Sequence, residues 1–310
     1  MLPFPFIIPA HPGERLNQPT REVAFSSLEE WFVWDFHPSI FIGTIVLATL
    51  YGVGVTVLRK RYALHEAPVS RLQAFTYYSS LLIMYLSLDG PLHYLSDELS
   101  FAMHMVQHLL LQMIWAPLFV LGLPGWLISP LVQKQWVQKV GRFLTKPVHA
   151  ALLFHGCIWI WHFPPMYELA LTNHPFHILE HLMFMATAVI FWWVVLSPIP
   201  ETPRPSYGWQ AFYLLVNLAP MKALGLIITV HNELLYEFYS TQPRLWGLTP
   251  VGDQRAGGLL MWVVGGLPVW AALAYVFHRW RKQGEPPKGL TGVPHIDEEI
   301  LARRARENAT

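Results

Sequence analysis

Seven predominantly apolar stretches run along the chain, at 39–58, 73–88, 101–121, 148–163, 176–196, 210–230 and 258–278. A helix needs about 20 residues to cross the hydrocarbon core of a bilayer, with roughly 17–25 as the usual range. The second and fourth stretches are short, so they are expected to extend into flanking polar sequence or to stand close to upright. None of the seven alternates with period two, which argues against membrane strands. A helix satisfies its own backbone polar groups in lipid. The pattern therefore predicts an all-α polytopic membrane protein, a bundle of seven transmembrane helices.

The remaining sequence divides around this bundle. Residues 1–38 form a segment ending in Trp31, Trp34 and His37-Pro38, an interfacial aromatic anchor. Its first residues, MLPFPFIIPA, carry no basic charge and are broken by prolines, so they do not read as a cleaved signal peptide. Residues 39–278 make up the transmembrane domain, and 279–310 a tail. That tail contains Gly284, Pro286 and Pro287, then a charged stretch that reads as a short surface helix. No internal repeat is visible.

Composition agrees with a membrane protein. Of 310 residues, 53% are hydrophobic and only 13% are charged, against roughly 25% charged in soluble domains. A net charge of +1 leaves no basic excess for nucleic acid. The basic residues nevertheless fall unevenly. Arg59, Lys60, Arg61 and Arg71 follow the first stretch, and Lys134, Lys139, Arg142 and Lys146 follow the third. Arg204 follows the fifth, and Arg279, Arg281, Lys282, Lys288, Arg303, Arg304 and Arg306 follow the seventh. Only Arg15, Arg21, Arg244 and Arg255 fall on the opposite side. The positive-inside rule then puts the N-terminus outside and the C-terminus in the cytoplasm.

With this orientation the 15 histidines sort by side. His11, His37, His93, His104, His108, His162, His174, His177, His181 and His231 lie outside or in the outer part of a span, and His155 lies deeper. Only His65, His149, His278 and His295 are cytoplasmic. His104 and His108 are i,i+4 and share a helix face, as do His177 and His181, with His174 extending the stripe. His155 and His162 share a face of the fourth span. At about 1.5 Å rise per residue, His108 and His181 lie about 6 Å deeper than His104 and His177. Two such pairs at matched depth can converge on one ion. Imidazole suits zinc, copper, iron and nickel, and Met103, Met105 or Met166 would add softness favouring Cu(I). The bland reading of any single interfacial histidine is a hydrogen-bonding residue, and of the methionines, packing. Bis-histidine haem fits less well, because two histidines one turn apart on one helix offer a haem one useful ligand.

Few other polar residues fall in the spans. Glu180 completes His177-x-x-Glu180-His181, the letter pattern of an inverted zinc-protease motif, or else orients a ligand. Lys222 lies mid-span and needs a partner or a wet cavity; Glu180 is one candidate and snorkelling the alternative. Asp253 reads as a cap, a ligand or an interfacial carboxylate. The single Cys157 excludes an internal disulfide and any multi-thiolate metal site.

The same residues carry a resemblance. His104-Met105-Val106-Gln107-His108-Leu109-Leu110-Leu111, with Ala116-Pro117-Leu118 and Leu121-Gly122-Leu123-Pro124, resembles the signature of the CtaG-type cytochrome c oxidase assembly factors. Trp161-His162-Phe163-Pro164 with Tyr167, the His177–His181 motif and Phe191-Trp192-Trp193 support it. So do Leu235-Tyr236 with Tyr239, Asp253-Gln254, Ala256-Gly257-Gly258 and Met261-Trp262. One departure is Trp115-Ala116-Pro117, where many relatives have a second proline. The resemblance implies a multi-pass protein of the bacterial cell membrane that helps mature haem-copper oxidases. Its partners would be a cytochrome c oxidase subunit and a copper donor protein.

Together these readings describe an assembly factor, not an enzyme, that holds copper transiently at the outer face. His104, His108, His177 and His181 would be the ligands, with His162 and Met103 or Met105 as exchange ligands. The rival is a membrane-embedded zinc hydrolase using the same histidines, with Glu180 or Asp253 as general base. A third reading is a scaffold for oxidase subunits that binds no metal.

Overall fold

The computed structural model describes residues 34, 36–63 and 65–284. The segment 1–33, with Trp31, and the tail beyond 284, with its expected surface helix, lie outside the described residues.

Each of the seven apolar stretches coincides with helix, and no strand occurs among the described residues. Helix α1 (Pro38–Arg61) begins with a proline, whose missing N–H costs nothing at a helix start. Helix α2 (Arg71–Leu88) is capped by Ser70, whose side chain accepts from the Gln73 N–H. A short helix, α3 (Pro91–Glu98), then leads into α4 (Phe101–Gly122). Helices α5 (Gln135–Leu144) and α6 (Pro147–Trp161) meet at a 67° bend. Helix α7 (Pro164–Thr172) is again short, and α8 (His174–Leu196), α9 (Tyr207–Val230) and α10 (Pro250–Gln283) complete the bundle.

Length and composition alone do not reach the expected count of seven spans. Among the described residues, five helices are long and apolar enough to cross a membrane, namely α1, α4, α8, α9 and α10. The bent pair α5–α6 makes six if it counts as one span. Helix α2 falls short because Gln73, Thr76, Ser79, Ser80 and Ser87 interrupt its apolar character. Helix α6 has only 15 residues, too few to cross alone.

Helix α4 is the centre of the bundle, and its irregularities are local. A π-helical segment, Leu110–Trp115, interrupts it one residue after His108–Leu109. Pro117 lacks the N–H that the Met113 carbonyl would use, which favours the wider turn. The buried Trp192 Nε1 donates to the Gln112 carbonyl at 2.9 Å and pins the segment to α8. On the other flank, α9 and α10 approach closely. A Cβ on Gly258 would lie 2.7 Å from the Thr229 nitrogen, so only glycine fits there. Helix α10 is broken by a 3-10 turn at Val264–Gly266, and Lys222 Nζ donates to the Trp262 carbonyl just before that break at 3.1 Å.

Helix α3 is placed by Gly90, whose φ of +91° is open chiefly to glycine. The turn lets Pro91 start a new helix across the end of the bundle, with Trp34 packed against Gly90. The side chains His93 and Asp97 are thereby carried to the place where α4 and α8 begin and α6 ends.

Candidate metal centre

The start of α4 is held from a distance. Asp253 of α10 accepts from Ser100 Oγ at 2.7 Å, from the Phe101 N–H at 2.7 Å and from the Ala102 N–H at 3.3 Å. These are the unpaired donors of a helix N-terminus, which also favours a negative charge. Asp253 is therefore a cap, but of α4 and not of its own helix, which Thr249 caps through the Gly252 N–H. With three donors satisfied, it has no free geometry for a general base.

One turn further along α4 stand His104 and His108, their Nε2 atoms 2.9 Å apart. The i,i+4 pair of α8 faces them. Ring centroids are 5.9 Å apart for His104–His177 and 5.4 Å for His108–His181. The four expected ligands thus do converge. His162, at the end of α6, lies 6.3 Å from His108 by ring centroid. Its Nδ1 faces the Ile158 carbonyl at 2.8 Å and its Nε2 faces Met105 Sδ at 3.4 Å. An imidazole whose Nδ1 donates to a carbonyl keeps its Nε2 lone pair for a metal. Met105 is therefore the methionine at the cluster. Met103 packs instead with Leu95, Leu99 and Leu245, and Met166 against the main core.

Five further side chains, Asp97, His93, Gln107, Ser96 and Glu180, complete the cluster. Asp97 Oδ2 lies 3.3 Å from His177 Nδ1 and 3.4 Å from His93 Nδ1. Gln107, on α4, reaches back to His93 Nδ1 at 3.1 Å and donates to the Ser87 carbonyl at 2.7 Å. Ser96 Oγ donates to Gln107 and contacts Asp97, each at 3.0 Å. Burial pushes the Asp97 carboxyl up, but the facing imidazoles of His177 and His93 outweigh it and hold it below the ordinary carboxylate range. Glu180 of α8 is fully buried, and neither of its oxygens has a hydrogen-bond partner among the described residues. The same holds for both ring nitrogens of His181 and for His177 Nε2.

Two triads within this cluster bring ligand atoms within 4.8 Å of one another: Asp97, His177 and His181, and His104, His177 and Glu180. A tetrahedral shell with bonds near 2.0–2.1 Å needs edges of roughly 3.3–3.5 Å, so small side-chain rotations close either triad on an ion. Imidazole, carboxylate and one thioether form a donor set suited to copper or zinc. Unpaired buried polar atoms are costly, and a cation would partner most of those found here.

Aromatic side chains wall the buried cluster. Phe184 packs edge-on against His108 at 4.6 Å, and Tyr167 lies 5.4 Å from His104. Tyr167 and Tyr239 hydroxyls meet at 3.0 Å, and the Tyr236 hydroxyl donates to the His162 carbonyl at 3.0 Å. The other polar candidates lie apart. Lys222 bonds the Trp262 carbonyl and forms no ion pair with Glu180 among the described residues, which removes the expected pairing. His155 is matched to Asn217 Oδ1 at 2.9 Å. Cys157 is buried and free.

The model of the cytochrome c oxidase caa3 assembly factor family (Caa3_CtaG) matches residues 49–283. The chain belongs to this family. Every member of the histidine cluster falls within the part matched to the caa3 assembly factors. Curated relatives include an uncharacterized protein of Mycobacterium bovis, 27% identical over 268 residues, covering 81% of this chain and 40% of the relative. An uncharacterized protein of Mycobacterium leprae is 28% identical over 288 residues, covering 87% of this chain and 42% of the relative. The chain thus spans less than half the length of these relatives. No solved structure matches it.

His93 and Asp97 were not singled out by the sequence as ligands. Their signal was present as an i,i+4 His-Asp pair following Gly90-Pro91, but nothing local showed that a short helix there would lie across the ends of α4 and α8.

Proposed function

We propose that this chain serves cytochrome c oxidase assembly as a membrane-embedded holder of copper, which it releases to the oxidase copper site. The observation that carries the reading is the concentration of unpaired ligand atoms in one buried place. His177, Glu180 and His181 carry them, with His104, His108, His93, Asp97 and the His162–Met105 pair around them. A structural polar cluster would have closed its own hydrogen bonds. Membership of an oxidase assembly family supports an oxidase as the recipient in this reading. The orientation read from the basic residues puts the cluster at the outer face, where an oxidase subunit would dock sideways through lipid-facing surface and a donor protein would supply copper.

Copper is cargo in this reading, so an incomplete and adjustable shell suits it. Imidazole and thioether donors exchange more readily than a closed thiolate cage, and the single buried cysteine is not part of the cluster. Copper titration of the purified chain in lipid nanodiscs is the test. Wild type is expected to bind copper and the His104→Ala plus His108→Ala variant to bind it markedly more weakly. Absence of copper binding by wild type, or unchanged binding by the double variant, overturns the proposal. Zinc retained through purification in one-to-one amount, with copper refused, points to the hydrolase reading instead.

A further inference from the structure

We infer that the cluster contains two overlapping cation stations that share His177 and hold one ion between them; this deepens the copper-holding reading and rests on it. The outer station, named for its carboxylate on the crossing helix α3, is Asp97, His177 and His181; the inner one, made by α4 and α8 alone, is His104, His177 and Glu180. His177 is common to both. Its Nδ1 faces Asp97 Oδ2 at 3.3 Å, whereas its Nε2 has no hydrogen-bond partner among the described residues. The two ring nitrogens point away from each other by the geometry of imidazole, so one ring addresses two places.

Each station has its own carboxylate, and the two differ in state. Asp97 is tied to His93, His177 and Ser96. Glu180 has both oxygens unpaired and is fully buried. An ion at the outer station meets a carboxylate already oriented by its neighbours. An ion at the inner station supplies a partner that Glu180 otherwise lacks, which makes Glu180 the receiving group. Because the stations share one His177 ring and lie in a buried, low-dielectric interior, two cations would compete for it and repel each other. The sites are thus alternatives. Beyond the inner station, His108 stands at hydrogen-bond distance from His104, and His162 with Met105 lies behind it. The order Asp97, His177, Glu180 therefore leads from the short helix α3 to the facing sides of α4 and α8.

The test uses Co2+ as the probe on the full chain in lipid nanodiscs, because its visible absorption bands report coordination. Wild type is expected to take up one equivalent. Asp97→Asn and Glu180→Gln, both close in shape to the native side chains, should each still take up one equivalent with affinity lowered tenfold or more. Their absorption bands should differ from one another. His177→Ala should lower affinity at least a hundredfold, and so should the two carboxylate substitutions combined. Two equivalents in wild type, or a Glu180→Gln affinity and spectrum identical to wild type, overturn the two-station inference while leaving copper holding intact. No uptake of Co2+ or copper by wild type overturns both. Circular dichroism of each variant identifies any loss of fold, and Glu180→Asp, which keeps the charge, should recover most of the affinity lost in Glu180→Gln if the inner station exists.

Discussion

Two carboxylates are buried near the same end of the bundle, and they are treated in opposite ways. Asp253 is surrounded by donors, taking two backbone N–H groups and one hydroxyl at the start of α4. Glu180, facing the same helix from α8, has none among the described residues. The first is what a folded protein does with a buried charge: it removes unpaired groups from a helix end and anchors one helix to another. The second is not what folding alone favours, since a buried carboxyl group with no hydrogen-bond partner is costly in either protonation state. The contrast teaches that charge in a membrane interior is not by itself a sign of function. The sign is charge, or lone pairs, left unmatched.

This comparison can be broken by substitution. The largest effect is expected from His104→Ala with His177→Ala, which takes a ligand from each station and should lower copper affinity at least a hundredfold in competition with a chelator. The apparent melting temperature should change little. Asp253→Ala should do the reverse. It leaves the α4 N-terminus uncapped and should cost about 2–3 kcal/mol of stability, seen as earlier denaturant unfolding, with copper affinity reduced far less than in the double variant. Gly90→Ala should cost about 1–3 kcal/mol, because its backbone lies in a region that side chains avoid. It should also weaken copper binding by displacing His93 and Asp97 together, a joint loss that neither carboxylate variant shows.

Smaller effects sharpen the same contrast. Glu180→Gln should change stability by no more than about 1 kcal/mol in the absence of metal, since it exchanges one unpartnered buried polar group for another; clearly lower stability of the metal-free variant would mean that Glu180 has a structural role. Lys222→Met should be the mildest, within about 1 kcal/mol for the loss of one hydrogen bond. Copper affinity should stay unchanged, because Lys222 is bonded to the Trp262 carbonyl and not to Glu180. A large loss of affinity in this variant would reconnect the two.

Much of the site was legible in the sequence, and the reason is periodicity. His104 with His108, and His177 with His181, are one turn apart, so a helix of any regular kind puts each pair on one face. That the faces meet followed from equal depth. His93, Asp97 and Met105 over Met103 were not legible, because they depend on where α3 crosses the bundle and on which side of α4 faces α6. Asp253 illustrates the same limit. Its capping character was readable from its position near a helix start, but the helix that it caps lies about 150 residues earlier in the chain. The all-helical class followed from apolar length alone. The number of spans did not, since α2 carries enough polar residues, and α6 few enough residues, to fall between a membrane span and a buried helix.

The donor set itself has one further consequence. Copper carriers built on paired thiols stop working when those thiols join in a disulfide, so they depend on a reducing environment. Here Cys157 stands alone in the packed core, and the cluster consists of imidazoles, carboxylates and one thioether. Such a site has no disulfide to form. In the proposed copper-holding reading, its readiness to accept an ion would be independent of the thiol poise around it.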